Sequence, residues 1–402
     1  MKKLLFVINT LGRAGAETAM LSLFNKLDPK EYKIDLYVLM GQGELYDRIP
    51  DYVNLLNKDF CTESVLSGAG RRSMVKRVLG SLKNNGGFFK KCGYIIVNLA
   101  RMVKERNVRI EKLLWRALSD GAEIFDEKYD LAVAYIEGGS AYYVAEHVNA
   151  DKKAAFVHID YRSAGYTRQL DKDCYVSFDR IFTVSDEIKG YFLSVYPECA
   201  DKTYVFHNII NQDAIIRNSK EPGGFDDNYN GIRLLTVGRL TYQKAYEIAI
   251  AAMKLLKDKG RNVRWYVLGE GSQRQALEKQ IEGLGLCGDF VLCGAVDNPY
   301  PYYAQADIYV HATRFEGKSI AIQEAQTLGL PIIASDRSGN KEQIINGVDG
   351  LLCELTPESV CEAVERFLDN NELMESCAKQ AGLKNIVNDK EIEMLLNMMS
   401  TA

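Results

Sequence analysis

Short apolar runs rich in Val, Ile and Tyr recur along the whole chain, separated by stretches whose apolar residues fall at helical spacing. One series comprises Leu4–Ile8, Ile34–Leu39, Leu131–Tyr135, Ala154–His158, Ile181–Val184 and Tyr204–Phe206. A second comprises Ile232–Val237, Trp265–Leu268, Ile308–His311, Ile332–Ala334 and Leu351–Cys353. Runs this short, apolar at consecutive positions, predict strands buried on both faces, and the helical patterns at Ala245–Lys257, Ser272–Gly283, Ile320–Leu328 and Pro357–Leu368 predict the covering layers. The expected class is therefore α/β, with two doubly wound parallel sheets. A Gly, Asp and Asn-rich segment, Glu221–Gly231, stands between the two series and reads as an interdomain linker.

With 402 residues and 47% hydrophobic content the chain can bury two substantial cores. A formal net charge of -4 gives no overall pull towards nucleic acid. Nine cysteines occur without a C-x-x-C pair or a zinc-type Cys/His spacing, so neither a disulfide framework nor a metal knot is expected. The opening segment lacks a signal-peptide cleavage site, and no window supplies the roughly 20 apolar residues of a membrane span. A cytoplasmic setting is expected.

Ligands of such sheets bind beyond the carboxyl ends of the strands, so the turns there are where chemistry is sought. The first such turn is Leu11-Gly12-Arg13-Ala14-Gly15-Ala16-Glu17, whose backbone N–H groups face a helix start and suit an anion. It departs from the dinucleotide fingerprint, which requires glycine where Ala14 and Glu17 stand, and this disfavours a dehydrogenase. A glycine turn serving only strand-to-helix packing gives the same pattern. A second turn, Val237-Gly238-Arg239-Leu240 with Lys244 beyond it, places two cations at a strand end. A guanidinium clamps two phosphate oxygens while an ammonium is a mobile point charge, and together they suit a departing diphosphate without a metal. Solvated surface cations are the plain alternative.

The most specific turn is Arg314-Phe315-Glu316-Gly317-Lys318-Ser319-Ile320-Ala321-Ile322-Gln323-Glu324. With a helix start near Lys318, Glu316 and Glu324 can each accept hydrogen bonds from a different diol, one on a sugar and one on a ribose. The N–H groups of Lys318, Ser319 and Ile320 are then free for a diphosphate. Glu pairs on a solvated helix face give the same spacing. Finally, the strand end Val157-His158-Ile159-Asp160-Tyr161 offers His158 as a donor to a sugar hydroxyl or phosphate, or as a structural histidine.

Taken together, G-x-x-G-A-E at Gly12–Glu17, V-H-I-D-Y at Val157–Tyr161, V-G-R-L with Lys244, and E-G-K-S-I-A-I-Q-E-A at Glu316–Ala325 resemble glycosyltransferase family 4, and within it the bacterial capsule and exopolysaccharide branch. The resemblance covers nearly the whole chain. It implies the GT-B fold, two Rossmann-like domains facing a cleft that closes over a nucleotide diphosphate sugar. It implies a retaining hexosyl transfer in which Arg239 and Lys244 hold the diphosphate, Glu324 the ribose and Glu316 the donor sugar. The base is placed against Gly294–Val296, Gly15 near the phosphate, and His158 against the sugar. The catalytic set is thus Arg239, Lys244, Glu316 and His158. The donor-binding set is Gly15, Gly238, Gly294, Val296, Gly317, Lys318, Ser319, Ile320 and Glu324, with no metal and no cofactor.

Many relatives carry E-G-F-G where this chain has Glu316-Gly317-Lys318-Ser319, which leaves the donor sugar open; a UDP-sugar is favoured over a GDP-sugar. The expected domains are 1–216 on the acceptor side and 217–380 for the donor, with 381–402 a helix returning to the first domain. The acceptor expected is a glycan, carried on a lipid, in surface polysaccharide synthesis. A sugar phosphorylase or nucleotide-sugar hydrolase on the same fold, or a non-catalytic sugar-nucleotide or membrane-binding protein, are the competing readings. Asp171-Lys172-Asp173 imitates a D-x-D metal motif but reads as surface, having no strand before it.

Between Arg71 and Arg116 there are thirteen Lys or Arg and two acidic residues. Ile95, Leu99, Met102, Val103, Ile110, Leu113, Leu114 and Ala117 recur there at helical spacing, so Tyr94–Leu118 is predicted as one basic amphipathic helix. Across 71–118 it either lies on anionic lipid at the inner membrane face or docks its stripe on the protein core. Nucleic acid is disfavoured by the lack of interleaved aromatics.

Overall fold

The computed structural model describes residues 1–64, 67–83, 87–104, 110–161, 164–315, 317–384, 386 and 389–400. The chain divides into two compact units, Met1–Ile209 with Asn388–Ala402, and Ile210–Val387. In the first unit the strands are β1 (Lys2–Ile8), β2 (Tyr32–Val38), β3 (Val53–Leu55), β4 (Lys128–Ala134), β5 (Asn149–Val157), β6 (Arg180–Thr183) and β7 (Thr203–Val205). They form one sheet in the order β3-β2-β1-β4-β5-β6-β7, every pair parallel. The order runs one way from β1 and the other way from β4, so the switch point lies between these two strands.

Strand periodicity explains the burial. Leu5 and Val7 of β1 enter one hydrophobic cluster and Leu4, Phe6 and Ile8 enter the other, so both faces of the strand are covered. The covering helices are α1 (Gly15–Phe24), α2 (Gly68–Lys83), α3 (Gly87–Lys104), α4 (Ile110–Asp120), α5 (Gly139–His147), α6 (Arg168–Asp171) and α7 (Asp186–Leu193). The carboxy-terminal helix Asp389–Leu396 also belongs here. Leu395 and Met398 enter the core of this unit, and Arg180 donates to the Met394 carbonyl at 2.8 Å.

The second unit holds β8 (Ile232–Val237), β9 (Val263–Leu268), β10 (Phe290–Gly294), β11 (Ile308–His311), β12 (Ile332–Ser335) and β13 (Leu351–Cys353). Their order is β10-β9-β8-β11-β12-β13, again all parallel, with the switch point between β8 and β11. Helices α8 (Gln212–Asn218), α9 (Tyr246–Asp258), α10 (Arg274–Gly283), α11 (Tyr300–Gln305) and α12 (Ile320–Thr327) bear on the site below. All the strand runs expected from the sequence are strands; β3 and β10 were not foreseen.

Three expectations are corrected. The segment Glu221–Gly231 is part of the second unit rather than a linker: Phe225 packs on Tyr266 with ring centroids 4.3 Å apart, and Asp227 accepts hydrogen bonds from Arg233 at 2.9 Å, Arg264 at 2.8 Å and the Tyr266 hydroxyl. The predicted helix Tyr94–Leu118 is instead parts of α3 and α4, with 105–109 outside the described residues. Its stripe is core: Met102, Leu113 and Leu170 form a cluster against which Tyr94, Ile95 and Leu99 pack. Val103, counted in that stripe, is exposed.

Asp171 is the third correction. Only Lys172 and Asp173 are exposed; the Asp171 carboxylate is fully buried and accepts from the hydroxyls of Tyr161 (2.5 Å), Tyr142 (2.7 Å) and Tyr196 (3.0 Å). Arg116 of α4 donates to the Asp171 carbonyl at 2.8 Å, pairs with Glu146, and lies over the Tyr142 ring at 4.2 Å. Burial pushes the Asp171 carboxyl up to about 6, against the three hydroxyl bonds that favour its charge. Asparagine carries a single acceptor oxygen for three donors. Asp171→Asn is therefore expected to cost stability at about pH 4, and, because the amide never charges, to recover relative to the parent as pH rises from about 4 to about 6, read from the midpoint of urea unfolding at each pH.

Candidate functional site

In the second unit the strand-end turns are sewn together by backbone bonds. Gly238 N–H donates to Leu268 O at 2.9 Å, Leu240 N–H to Glu270 O at 2.9 Å, and Gly269 N–H to Gly294 O at 2.8 Å. The approach is close enough to need glycine: a Cβ on Gly269 would stand 2.0 Å from the Gly238 carbonyl oxygen, and one on Gly271 2.3 Å from that of Leu240. This Gly269-Glu270-Gly271 turn went unread in the sequence, although a G-x-G pair directly after a strand run was its signal. Arg274 of α10 holds Glu270 with Nη2 2.8 Å from Oε1.

Lys244 closes a short 3₁₀ turn, Tyr242–Lys244, ahead of α9. Its stem crosses Gly238, since a Cβ there would meet Lys244 Cε at 3.2 Å. Tyr246 fixes the same turn from below by donating to the Gly238 carbonyl at 2.8 Å. Arg239 is exposed, and its guanidinium takes no hydrogen bond or ion pair among the described residues. Arg314, just past β11, ties the two switch-point turns: it donates to Tyr242 O at 2.5 Å, pairs with Glu247 and stacks over the Tyr242 ring at 3.9 Å. The sequence placed Arg314 in the motif without a role. Structurally it positions the turn that carries Lys244.

Helix α12 begins at Ile320, with extended Ser319 as its N-cap, so the expected start near Lys318 is corrected by two residues. Gln323 N–H makes a first helical bond to Ser319 O, which leaves the N–H groups of Ile320, Ala321 and Ile322 at the helix mouth; Lys318 and Ser319 precede it. Gly317 and Lys318 are half-buried and Ser319 is buried. Glu316 lies outside the described residues.

Glu324 is 8% exposed, and α11 supplies both of its partners: the Tyr300 hydroxyl donates to Oε1 and the Tyr303 hydroxyl to Oε2, each at 3.1 Å. Burial pushes this carboxyl up to about 7, opposed by the two tyrosine bonds. An ionised carboxylate has about four acceptor positions, so two hydroxyls leave capacity for a diol. Neither tyrosine was foreseen, because a contact across two helices leaves no local pattern. Gly294 adopts φ +83 at the end of β10, and Val296 is half-buried against the cluster on that face.

The first unit has its own strand-end cluster. Gly15 opens α1 and is exposed, with Ala14 extended before it. Asn9, past β1, accepts from Ser140 N–H at 2.9 Å and donates to Glu137 O at 3.0 Å, joining the two switch-point turns. Glu137 is buried and accepts the His158 N–H at 3.0 Å; burial raises its pKa. Asn9 and Glu137 were not singled out, although Glu137-Gly138-Gly139 follows a strand run.

The His158 ring is corrected in its role. Its Nε2 lies 2.9 Å from the Tyr135 carbonyl oxygen, which only accepts, so Nε2 carries the proton. Burial lowers its pKa to about 4, so the ring is neutral near pH 7. The remaining nitrogen, Nδ1, is then an acceptor for a hydroxyl and not a donor to a phosphate.

Residues 218–383 match the family model for glycosyl transferases group 1. The chain is 32% identical over 152 residues to alpha-D-kanosaminyltransferase of Streptomyces kanamyceticus, covering 37% of this chain and 39% of that one. It is 27% identical over 191 residues to the N-acetylgalactosamine-N,N'-diacetylbacillosaminyl-diphospho-undecaprenol 4-alpha-N-acetylgalactosaminyltransferase of Campylobacter jejuni, covering 47% and 50%. The chain thus spans half or less of the length of these two curated relatives. Among solved structures, Anabaena Alr3699/HepE in complex with UDP-glucose superposes with a TM-score of 0.69 at 14% identity over 100% of both chains. That likeness shows the fold, GT-B, as the motifs implied.

Proposed function

Taking residues 218–383 as a member of the glycosyl transferases group 1 family, in a chain with the GT-B fold, we propose that this protein is a retaining glycosyltransferase using a nucleotide diphosphate sugar, with a UDP-sugar favoured. The sugar is a hexose or N-acetylhexosamine, and the acceptor is a glycan carried on a lipid, in surface polysaccharide synthesis. The carrying observation is the switch-point cluster of the second unit, where Lys244 lies across Gly238 and Glu324 is held beneath two tyrosine hydroxyls. The UDP-glucose complex of the Anabaena protein and the undecaprenol-linked substrate named for the Campylobacter relative support the donor and acceptor classes.

In this reading Lys244 and Arg239 meet the diphosphate and Glu324 accepts from the ribose diol. The base lies along Gly294 and Val296. Gly238, Gly317, Lys318, Ser319 and Ile320 bring backbone close to the donor, with Gly15 near the phosphate. Glu316 is assigned to the donor sugar. Here the bond from the anomeric carbon to the diphosphate oxygen breaks while the acceptor oxygen bonds on the same face, and the acceptor proton passes to the leaving diphosphate. His158 accepts from a sugar hydroxyl through Nδ1.

Two cations aimed at the leaving group take the part that a divalent ion plays in other transferases. Turnover is therefore expected to stay within about twofold when EDTA replaces added magnesium, measured as nucleoside diphosphate release. A tenfold fall restored by magnesium sinks the cation assignment.

The deciding experiment is nucleoside diphosphate release from a panel of UDP- and GDP-sugars with and without lipid-linked acceptors, followed by NMR of the product anomer. Acceptor-dependent release from one donor, with retained configuration, supports the reading. Release that requires only inorganic phosphate or water makes it a phosphorylase or hydrolase, and binding without turnover makes it a non-catalytic protein.

A further inference from the structure

Helix α3 carries two apolar faces. One packs inward through Tyr94, Ile95, Leu99 and Met102. The other is left in solvent: Ile96 is 64% exposed, Val97 59% and Val103 59%, with Gly93 and Ala100 exposed between them. At 100° per residue these positions share one arc, so this is a continuous stripe and not scattered surface residues. Helix α2 separately exposes Val75 at 53% and Leu79 at 55%, which with the exposed cations Arg71, Arg72 and Lys76 line an open groove. No helix among the described residues is long and apolar enough to cross a membrane.

We propose that the outer faces of α2 and α3 form a docking surface for an anionic membrane, with Ile96, Val97 and Val103 entering the acyl boundary and Arg71, Arg72 and Lys76 meeting lipid phosphates. Charge selects this occupant. Arg71, Arg72 and Lys76 are exposed on α2, and the arm from Arg71 to Arg116 carries thirteen basic and two acidic residues with only Arg116 among the described cations buried, so a second copy on the same face would set two positive arms against each other. A polyanionic surface neutralises them, and the stripe gains by leaving water. Among the described side chains the stripe is aliphatic and offers no aromatic platform for nucleic acid bases. The stripe expected from the sequence packs inward through Ile95, Leu99, Met102 and Leu113, and of the lipid-facing residues it included only Val103. The surface belongs to the first unit and the donor cluster to the second, and no residue is shared between them, so the inference stands or falls without the proposed activity.

The test is co-sedimentation of the full chain with vesicles of phosphatidylcholine alone, or mixed equally with phosphatidylglycerol, without any sugar nucleotide. Binding to the mixed vesicles is expected to exceed binding to neutral ones at least tenfold at low salt. Paired changes Ile96→Asp with Val97→Asp, and separately Arg71→Glu with Lys76→Glu, are each expected to lower it at least tenfold with the near-UV circular dichroism unchanged. Because a variant can misfold, Ile96→Trp gives an independent readout: the emission of the introduced indole is expected to shift to the blue on mixed vesicles. The proposal is overturned by equal binding to both vesicle types, by loss in salt without loss in the aspartate pair, or by an unshifted emission of the Ile96→Trp protein. It is also overturned if sedimentation velocity shows a concentration-dependent dimer that the aspartate pair dissolves.

Discussion

Lys244→Ala is expected to lower kcat about 100-fold or more while leaving the melting temperature of the second unit nearly unchanged. In the proposed role the ammonium is worth most where charge accumulates as the diphosphate departs, and loss of one electrostatic stabiliser of this kind costs about 10² to 10³ in kcat. The fold does not depend on it: the turn is set by the backbone bonds among Gly238, Leu268, Leu240 and Glu270, and by the Tyr246 hydroxyl on Gly238 O. Arginine at this position keeps charge but is longer and planar, and with Gly238 only 3.2 Å from Cε in Cβ terms, Lys244→Arg is expected to recover only part of the rate. The measurement is initial nucleoside diphosphate release at saturating donor, beside a thermal melt. Near-normal kcat in a folded Lys244→Ala protein removes this residue from the leaving-group role.

Much of this was legible because parallel strands buried on both faces leave dense apolar runs, and β8, β11 and β13 span Ile232–Val237, Ile308–His311 and Leu351–Cys353 as read. Strands of few residues at sheet edges leave little signal: β3 has three residues and β10 ends in glycine. The candidate site was legible wherever its residues sit in a turn beside their own strand, as at Gly238 and Lys244. It was not legible where a partner comes from elsewhere in sequence. Tyr300 and Tyr303 stand more than twenty positions from the Glu324 they bind, and Arg116 reaches Asp171 across α4 and α6.

The basic arm failed for a different reason. Helical spacing reveals that a stripe exists but not what covers it, and α3 has apolar residues on both its faces. Counting only the stronger periodic set selected Ile95, Leu99 and Met102, which are core, and passed over Ile96 and Val97. His158 failed on proton placement, since its tautomer is dictated by the Tyr135 carbonyl, a backbone atom just past β4.

Glu324 yields the second large effect, and a pH dependence with a defined sign. Glu324→Ala removes the acceptor proposed for the ribose diol, and hydrogen bonds to a charged group contribute about 1.5 to 3 kcal/mol each, so donor KM is expected to rise about 100-fold. In the intact protein burial holds this carboxyl at about 7, above its ordinary 4.5. Below pH 7 it is protonated and has lost acceptor capacity, so donor KM is expected to climb towards tenfold per pH unit between 7 and 5. Glu324→Gln, which never charges, is expected to bind weakly and show no such slope. Stability moves the opposite way. A raised folded pKa contributes stability that is complete below 4.5 and lost as pH rises through 7, about 3 kcal/mol at about 1.4 kcal/mol per pH unit. Glu324→Gln is therefore expected to gain stability relative to the parent at pH 8 and not at pH 4.5, measured by urea unfolding at both. A parent protein whose donor KM is flat from pH 5 to 8 while Glu324→Gln stays folded would place the ribose contact elsewhere.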